Sequence, residues 1–229
     1  MAIGWNHLST TCSLPGTHGR HESSSHQQHF LAPPRRAKPH RPLRPSAVPS
    51  NNARQLIESG AICPILPREA ASAIMDGGYV MLDVRPEWER EKARVAGSLH
   101  VPLFVEDRDN GPLTLLKKWV HFGYIGLWTG QNFTTLNSDF IEQVEGKVPD
   151  KDARMLIACG EGLRSMMAAS KLYDHGYRNL GWLAGGFNRS KDSDFPDVEG
   201  HEKLQYATIG GASYFFLQLL ILLQAVGKE

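Results

Sequence analysis

The sequence predicts an α/β domain around a mostly parallel sheet, and three observations carry that prediction. Short apolar runs alternate with helical patterns from about residue 60 onward. One run, residues 79–84 (YVMLDV), is interrupted only by Asp83, the mark of a strand buried on both faces. A second run, MLIA at 155–158, leads through a glycine-containing loop, CGEGLRS at 159–165, into a helical segment. Ligands of α/β sheets bind at such strand-to-helix joints.

Taken in order, residues 67–76 (PREAASAIMD) read as a short helix, with Pro67 at its start and Gly77-Gly78 past its end. The strand at 79–84 follows. Pro86 then opens a helical turn, in which Glu87 and Glu89 suit the positive end of the helix dipole. Residues 102–137 are poorly periodic and hold six aromatics, Phe104, Trp119, Phe122, Tyr124, Trp128 and Phe133, beside the acids Glu106, Asp107 and Asp109. A stretch of that length is a lid, a partner surface or a packed excursion. We treat residues 103–136 as an aromatic-rich insertion that packs or presents a protein-partner surface. After the strand at 155–158, residues 165–175 form a helix with Met166, Ala169, Leu172 and Tyr173 on one face, ended by Gly176. Residues 179–183 give a third strand, and Gly185-Gly186 a tight turn after it.

The 229 residues carry 25 Lys+Arg against 24 Asp+Glu, a formal net charge of +1. That balance argues against a nucleic-acid protein, and 41% hydrophobic content excludes wholesale disorder. Three cysteines, Cys12, Cys63 and Cys159, cannot make a disulfide framework. The balance conceals an asymmetry. Residues 1–54 hold seven Lys/Arg and a single acid, with many serines and prolines, whereas residues 55–229 are net acidic. A basic, Ser-rich, acid-poor stretch has the composition of a chloroplast or mitochondrial transit peptide; the alternative is a disordered basic tail. Its six histidines are too irregularly spaced to read as a metal tract. At the other end, residues 208–226 contain no charge. A 19-residue helix there would extend about 28 Å, close to the hydrocarbon thickness, so the sequence predicts a single C-terminal membrane span. Gln218, Gln224 and Gly210-Gly211 leave a core or membrane-surface helix as the alternative.

The segment that carries chemistry is 159–165. A helix N-terminus presents free N–H groups and a positive dipole end. Two glycines let the loop curl so that its amides converge on an anion. Cys159 opens that loop, and Arg164 adds a positive charge. Together these features favour a nucleophilic thiolate over a small buried hydrophobe.

Here the sequence resembles the rhodanese (sulfurtransferase) family. The resemblance rests on CGEGLRS at 159–165, VMLDVR at 80–85 with Glu87 and Trp88, VAGSLHVP at 95–102 and NLGWLAGGF at 179–187, in the family's order. It covers about residues 65–189 and extends to plant rhodanese-like proteins of the chloroplast through the leader, the insertion and the apolar tail. The chain departs from the family where Ala93-Arg94-Val95 precede Gly97-Ser98 in place of Gly-His-Ile, which alters the cleft rim. The resemblance implies a rhodanese-like open parallel sheet flanked by helices over about 60–200. It also implies a two-step reaction. Cys159 takes the outer sulfur of a small donor as a persulfide and passes it to a thiol or protein acceptor, with no metal or organic cofactor. Gly160, Glu161, Gly162, Leu163, Arg164 and Ser165 would form the substrate-binding loop. Asp83 and Arg85 resemble the family's Asp-x-Arg and read either as a cleft wall or as an internal brace.

Phosphatase or arsenate-reductase chemistry is disfavoured, because residues 159–164 make a six-residue loop and the related phosphatase loops are one residue longer. Glu161 places an acid in the anion-binding loop, which should repel the thiosulfate dianion. Cys63 reads as structural or as a resolving thiol. The reading as a whole is a plastid sulfurtransferase, with the mitochondrion as the alternative compartment. The rival reading is a membrane-tethered module of the same fold that binds a protein partner and turns over little.

Overall fold

The computed structural model describes residues 50–226. The leader up to residue 49, with its histidines and Cys12, lies outside the described residues. Helix α1 (Ser50–Glu58) begins at Ser50 and buries Ala53.

The chain continues through β1 (Ile62–Ile65), α2 (Pro67–Met75), β2 (Val80–Asp83), the turn-long α3 (Glu87–Arg90), β3 (Ala93–Val95), β4 (Leu99–His100) and β5 (Phe104–Glu106). Next come α4 (Pro112–His121), a π-helical turn (Phe122–Gly126), α5 (Leu127–Thr129), β6 (Thr134–Leu136) and α6 (Phe140–Lys147). The last elements are β7 (Met155–Ala158), α7 (Leu163–Asp174), β8 (Leu180–Leu183), β9 (Val198–Gly200) and α8 (Gly211–Val226).

Five strands form an all-parallel sheet in the order β1-β8-β7-β2-β4. The predicted α/β architecture of a parallel sheet flanked by helices is therefore present. Strand alternation assigns the two faces. Leu82, Met155 and Ile157 point into a core shared with Phe140, Ala168 and Leu172 of α6 and α7. Met81, Leu156 and Ala158 point into the opposite core with Ala70 of α2, Leu183 and Phe187. Being covered on both sides is why β2 and β7 read as continuous apolar runs. Cys63, placed before the first helix by sequence, lies in β1 opposite Gly181 of β8.

Two expectations are corrected. Residues 103–136 are not an irregular loop: β5 and β6 pair as an antiparallel ribbon, and its tip carries α4, the π turn and α5. The helical period was hidden because Leu113, Leu115, Leu116, Trp119 and Val120 ring α4 and all remain exposed. The membrane span over 208–226 is the second. Residues 208–210 are held against the domain, with Lys92 Nζ donating to the Ile209 carbonyl at 2.8 Å and Gln131 Nε2 to the Thr208 carbonyl at 3.1 Å. Helix starts only at Gly211 and runs 16 residues, about 24 Å, short of a bilayer core of roughly 30 Å. Among the described residues no helix is long and apolar enough to cross a membrane.

Candidate active site

The loop after β7 lies at the carboxyl end of the sheet, between the turns that follow β2 and β8. Gly162 adopts a φ of 92° at the N-cap of α7, a left-handed conformation that suits glycine. That conformation turns the chain so that the Gly162 and Ser165 amides face back toward Cys159. They donate to its Sγ at 3.1 and 3.3 Å. The Ser165 hydroxyl stands 3.3 Å from the same sulfur and also donates to the Gly162 carbonyl at 3.0 Å. Two main-chain amides thus converge on Sγ.

Neighbouring turns hold the loop in place. Trp182 Nε1 donates to the Gly162 carbonyl at 2.8 Å. The Phe187 and Asn188 amides donate to the carbonyls of Cys159 and Gly160 at 2.9 and 2.8 Å. This approach needs Gly186, where a Cβ would lie 2.4 Å from the Cys159 carbonyl oxygen. Gly185-Gly186 is therefore a splint for the Cys159 loop, more than a turn at its edge.

Arg164 does not point freely at the sulfur. Its two terminal nitrogens donate to Glu89 Oε1 and Oε2 at 2.8 and 2.6 Å, and Glu89 is 1% exposed. Burial works against the Arg164 charge, but the Glu89 bonds and charge outweigh it and raise the Arg164 pKa above its ordinary value. Sequence reading placed Glu89 at a helix dipole and missed this partnership. The available signal was an acid one turn beyond the Asp-x-Arg segment.

Asp83 and Arg85 are both fully buried. Arg85 Nη2 donates to Asp83 Oδ2 and to the Ala93 carbonyl, each at 2.7 Å, and its guanidinium stacks 4.4 Å from the Phe187 ring centroid. Burial alone would push the Asp83 carboxyl up, but the Arg85 charge and hydrogen bonds hold it below the usual carboxylate range. Neither residue lines the cavity described next; of the two sequence readings, this geometry is that of a brace beneath the site.

Cys159 is fully buried, yet it lines the floor of a cavity of about 640 Å³. The loop contributes Glu161, Leu163 and Arg164 to the walls. The insertion contributes His121, Thr129, Gln131, Asn132 and Thr134, and the C-terminal segment Thr208, Ile209 and Ser213. Glu161 is exposed at this opening. Thr208 closes over the loop: its Oγ1 donates to Asn188 Oδ1 at 2.7 Å, and its methyl lies 2.1 Å from where a Cβ on Gly160 would stand. Sequence reading assigned Thr208 to a membrane helix and singled out neither Gln131 nor Asn188, since nothing in a linear pattern announces contacts across such distances. Among the described residues no cluster of His, Cys, Asp and Glu could hold a metal ion.

The family model for the rhodanese-like domain matches residues 66–193. The chain belongs to the rhodanese-like domain family. It is 58% identical to Rhodanese-like domain-containing protein 10 of Arabidopsis thaliana over 178 residues, 78% of this chain and 83% of that protein. It is 41% identical to the chloroplastic Rhodanese-like domain-containing protein 11 of the same plant, over 70% of this chain and 54% of that one. The chloroplastic protein 9 is 36% identical over 62% of this chain and 60% of its own length. The plant rhodanese-like resemblance read from the sequence is thereby established, and the Cys159 loop lies inside the matched region.

Proposed function

We propose that this rhodanese-like protein is a sulfurtransferase in which Cys159 carries one sulfur atom between a donor and a thiophilic acceptor. The observation that supports it is the convergence of the Gly162 and Ser165 amides and the Ser165 hydroxyl on Sγ, at the floor of a cavity. In the first half-reaction the Cys159 thiolate attacks the outer sulfur of a donor. The Sγ–S bond forms, the donor S–S bond breaks, and the donor leaves as a thiolate or as sulfite. In the second, an acceptor thiolate attacks that outer sulfur and Sγ departs as thiolate. The α7 dipole and the same amides stand ready for the anionic sulfur in both states. Neither half-reaction needs a metal or organic cofactor.

The related proteins named chloroplastic support a plastid location, with the mitochondrion as the alternative. Purified protein should transfer sulfur from a persulfide to a thiol acceptor, and Cys159→Ser should abolish transfer. Equal transfer by that variant would overturn the reading.

A second reading has its own support. Leu113, Leu116, Trp119, Tyr124 and Trp128 of the insertion are each at least half exposed, and exposed apolar surface of this kind marks interaction sites. On this reading the insertion docks a protein partner and Cys159 turns over little.

A further inference from the structure

Two apolar helices of the domain are joined to each other and left uncovered. α4, the π turn and α5 run as one helical stretch over 112–129, and α8 packs against its end. The junction is glycine on glycine. A Cβ on Gly130 would lie 2.6 Å from the Gly211 nitrogen, and one on Gly211 would lie 2.5 Å from the Leu127 carbonyl oxygen. Only backbones without side chains approach so closely, so α8 leaves the domain from a fixed joint.

Beyond its first turn, where the Tyr214 hydroxyl donates to Glu202 Oε1, α8 loses its cover. From Leu219 to Gln224 every residue is exposed. At about 100° per residue, six consecutive positions go round the helix more than once, so no face of that segment is packed. Five of the six are leucine or isoleucine. A protein groove covers one apolar stripe of an amphipathic helix. A helix that is apolar on every side calls for apolar surroundings on every side. Charge points the same way. Residues 55–229 are net acidic, yet residues 111–138 hold Lys117, Lys118 and His121 and no acid, and residues 208–226 hold no charge. The elements that expose apolar residues are thus kept clear of the carboxylates that a lipid headgroup surface repels. Trp119, Tyr124 and Trp128, each at least half exposed, supply the amphipathic rings that favour the boundary between water and lipid.

We propose that α8, with the aromatic residues of the helix it joins, seats the domain on a bilayer surface and enters one leaflet without crossing it. From Phe215 to Val226 the helix runs 12 residues, about 18 Å, enough for one leaflet of roughly 15 Å of hydrocarbon and too little for two. The contact involves no residue of the Cys159 loop, and the inference stands whatever that residue transfers.

The test is flotation of the full-length protein with neutral phosphatidylcholine vesicles at high salt, where the basic residues of 1–54 contribute little. The protein should float with the vesicles, and its tryptophan emission should shift to the blue. Leu220→Asp and Leu222→Asp place a charge on opposite sides of α8. Each should weaken vesicle binding at least about tenfold, because lipid meets both sides, whereas a groove would feel one. Both side chains are exposed, so the thermal midpoint of the domain should stay within a degree or two of the wild type. Protein that does not float overturns the proposal, and so does flotation that survives either substitution. A lipid-free dimer that one substitution dissociates, without flotation, also overturns it and assigns α8 to a second copy of the chain.

Discussion

At the scale of single residues, the site depends on which charges are already spoken for. Arg164 is tied to Glu89, so its charge serves first to order the loop and only then to attract a substrate. Glu89→Ala removes the partner of a largely buried cation, and should cost on the order of 3 kcal/mol of stability, read as a lower denaturant midpoint. Glu161 is the charge left over. Glu161→Gln should raise turnover with thiosulfate, more at low salt than at high salt because screening already weakens the repulsion. No gain at low ionic strength would mean that the carboxylate is solvated away from the donor's path. Of these residues, Cys159, Glu161 and Arg164 were legible in the sequence, because a strand, two glycines and an arginine sit within one short segment. Glu89 was not, since its role depends on a partner 75 positions away.

At the scale of elements, the strands and helices that build the sulfur site were readable, and those that cover it were not. β2 and β7 declare themselves through burial on both faces, and α7 through its apolar stripe and its glycine stop. Strand β4 has only two residues, too few to show any period. The insertion lacks a period because apolar residues ring α4, and residues 208–210 because they are fixed by bonds to distant groups, Gln131 to Thr208 and Thr208 to Asn188. That cover is directly testable. Gly160→Ala puts a methyl onto that of Thr208 and should slow sulfur loading of Cys159 by about tenfold or more, equivalent to the 1–3 kcal/mol typical of overpacking. Adding Thr208→Ser removes the opposing methyl and keeps the hydroxyl that reaches Asn188, so the double variant should recover most of the rate. A double variant as slow as the single one would show that the tail does not press on the loop.

At the scale of the whole molecule, the sheet and its buried brace set the conditions under which the site survives. Asp83 and Arg85 connect β2 to the Phe187 segment and to β3 through the Ala93 carbonyl. The Asp83 carboxyl is held below its ordinary value. Its stabilising contribution is therefore fully present above the unfolded value, about pH 4, and is lost as pH falls through the lower folded value. Asp83→Asn should cost roughly 3 kcal/mol at neutral pH and should flatten the acid limb of stability against pH, measured by thermal or denaturant unfolding. An acid limb of unchanged steepness would assign acid sensitivity to other carboxylates. The domain's extent was readable from the order of its motifs, which fall within the matched region 66–193. The C-terminal helix was misjudged because the absence of charge over 208–226 says nothing about where a helix begins, and Gly211 begins it three residues late.

The measurement that bears most directly on a sulfur-carrying Cys159 is the intact mass of the protein after exposure to a persulfide donor and removal of the excess. A gain of one sulfur atom, mapped to the 159–164 loop and absent in Cys159→Ser, is the expected result. A folded protein whose Cys159 remains an unmodified thiol with every donor would contradict it.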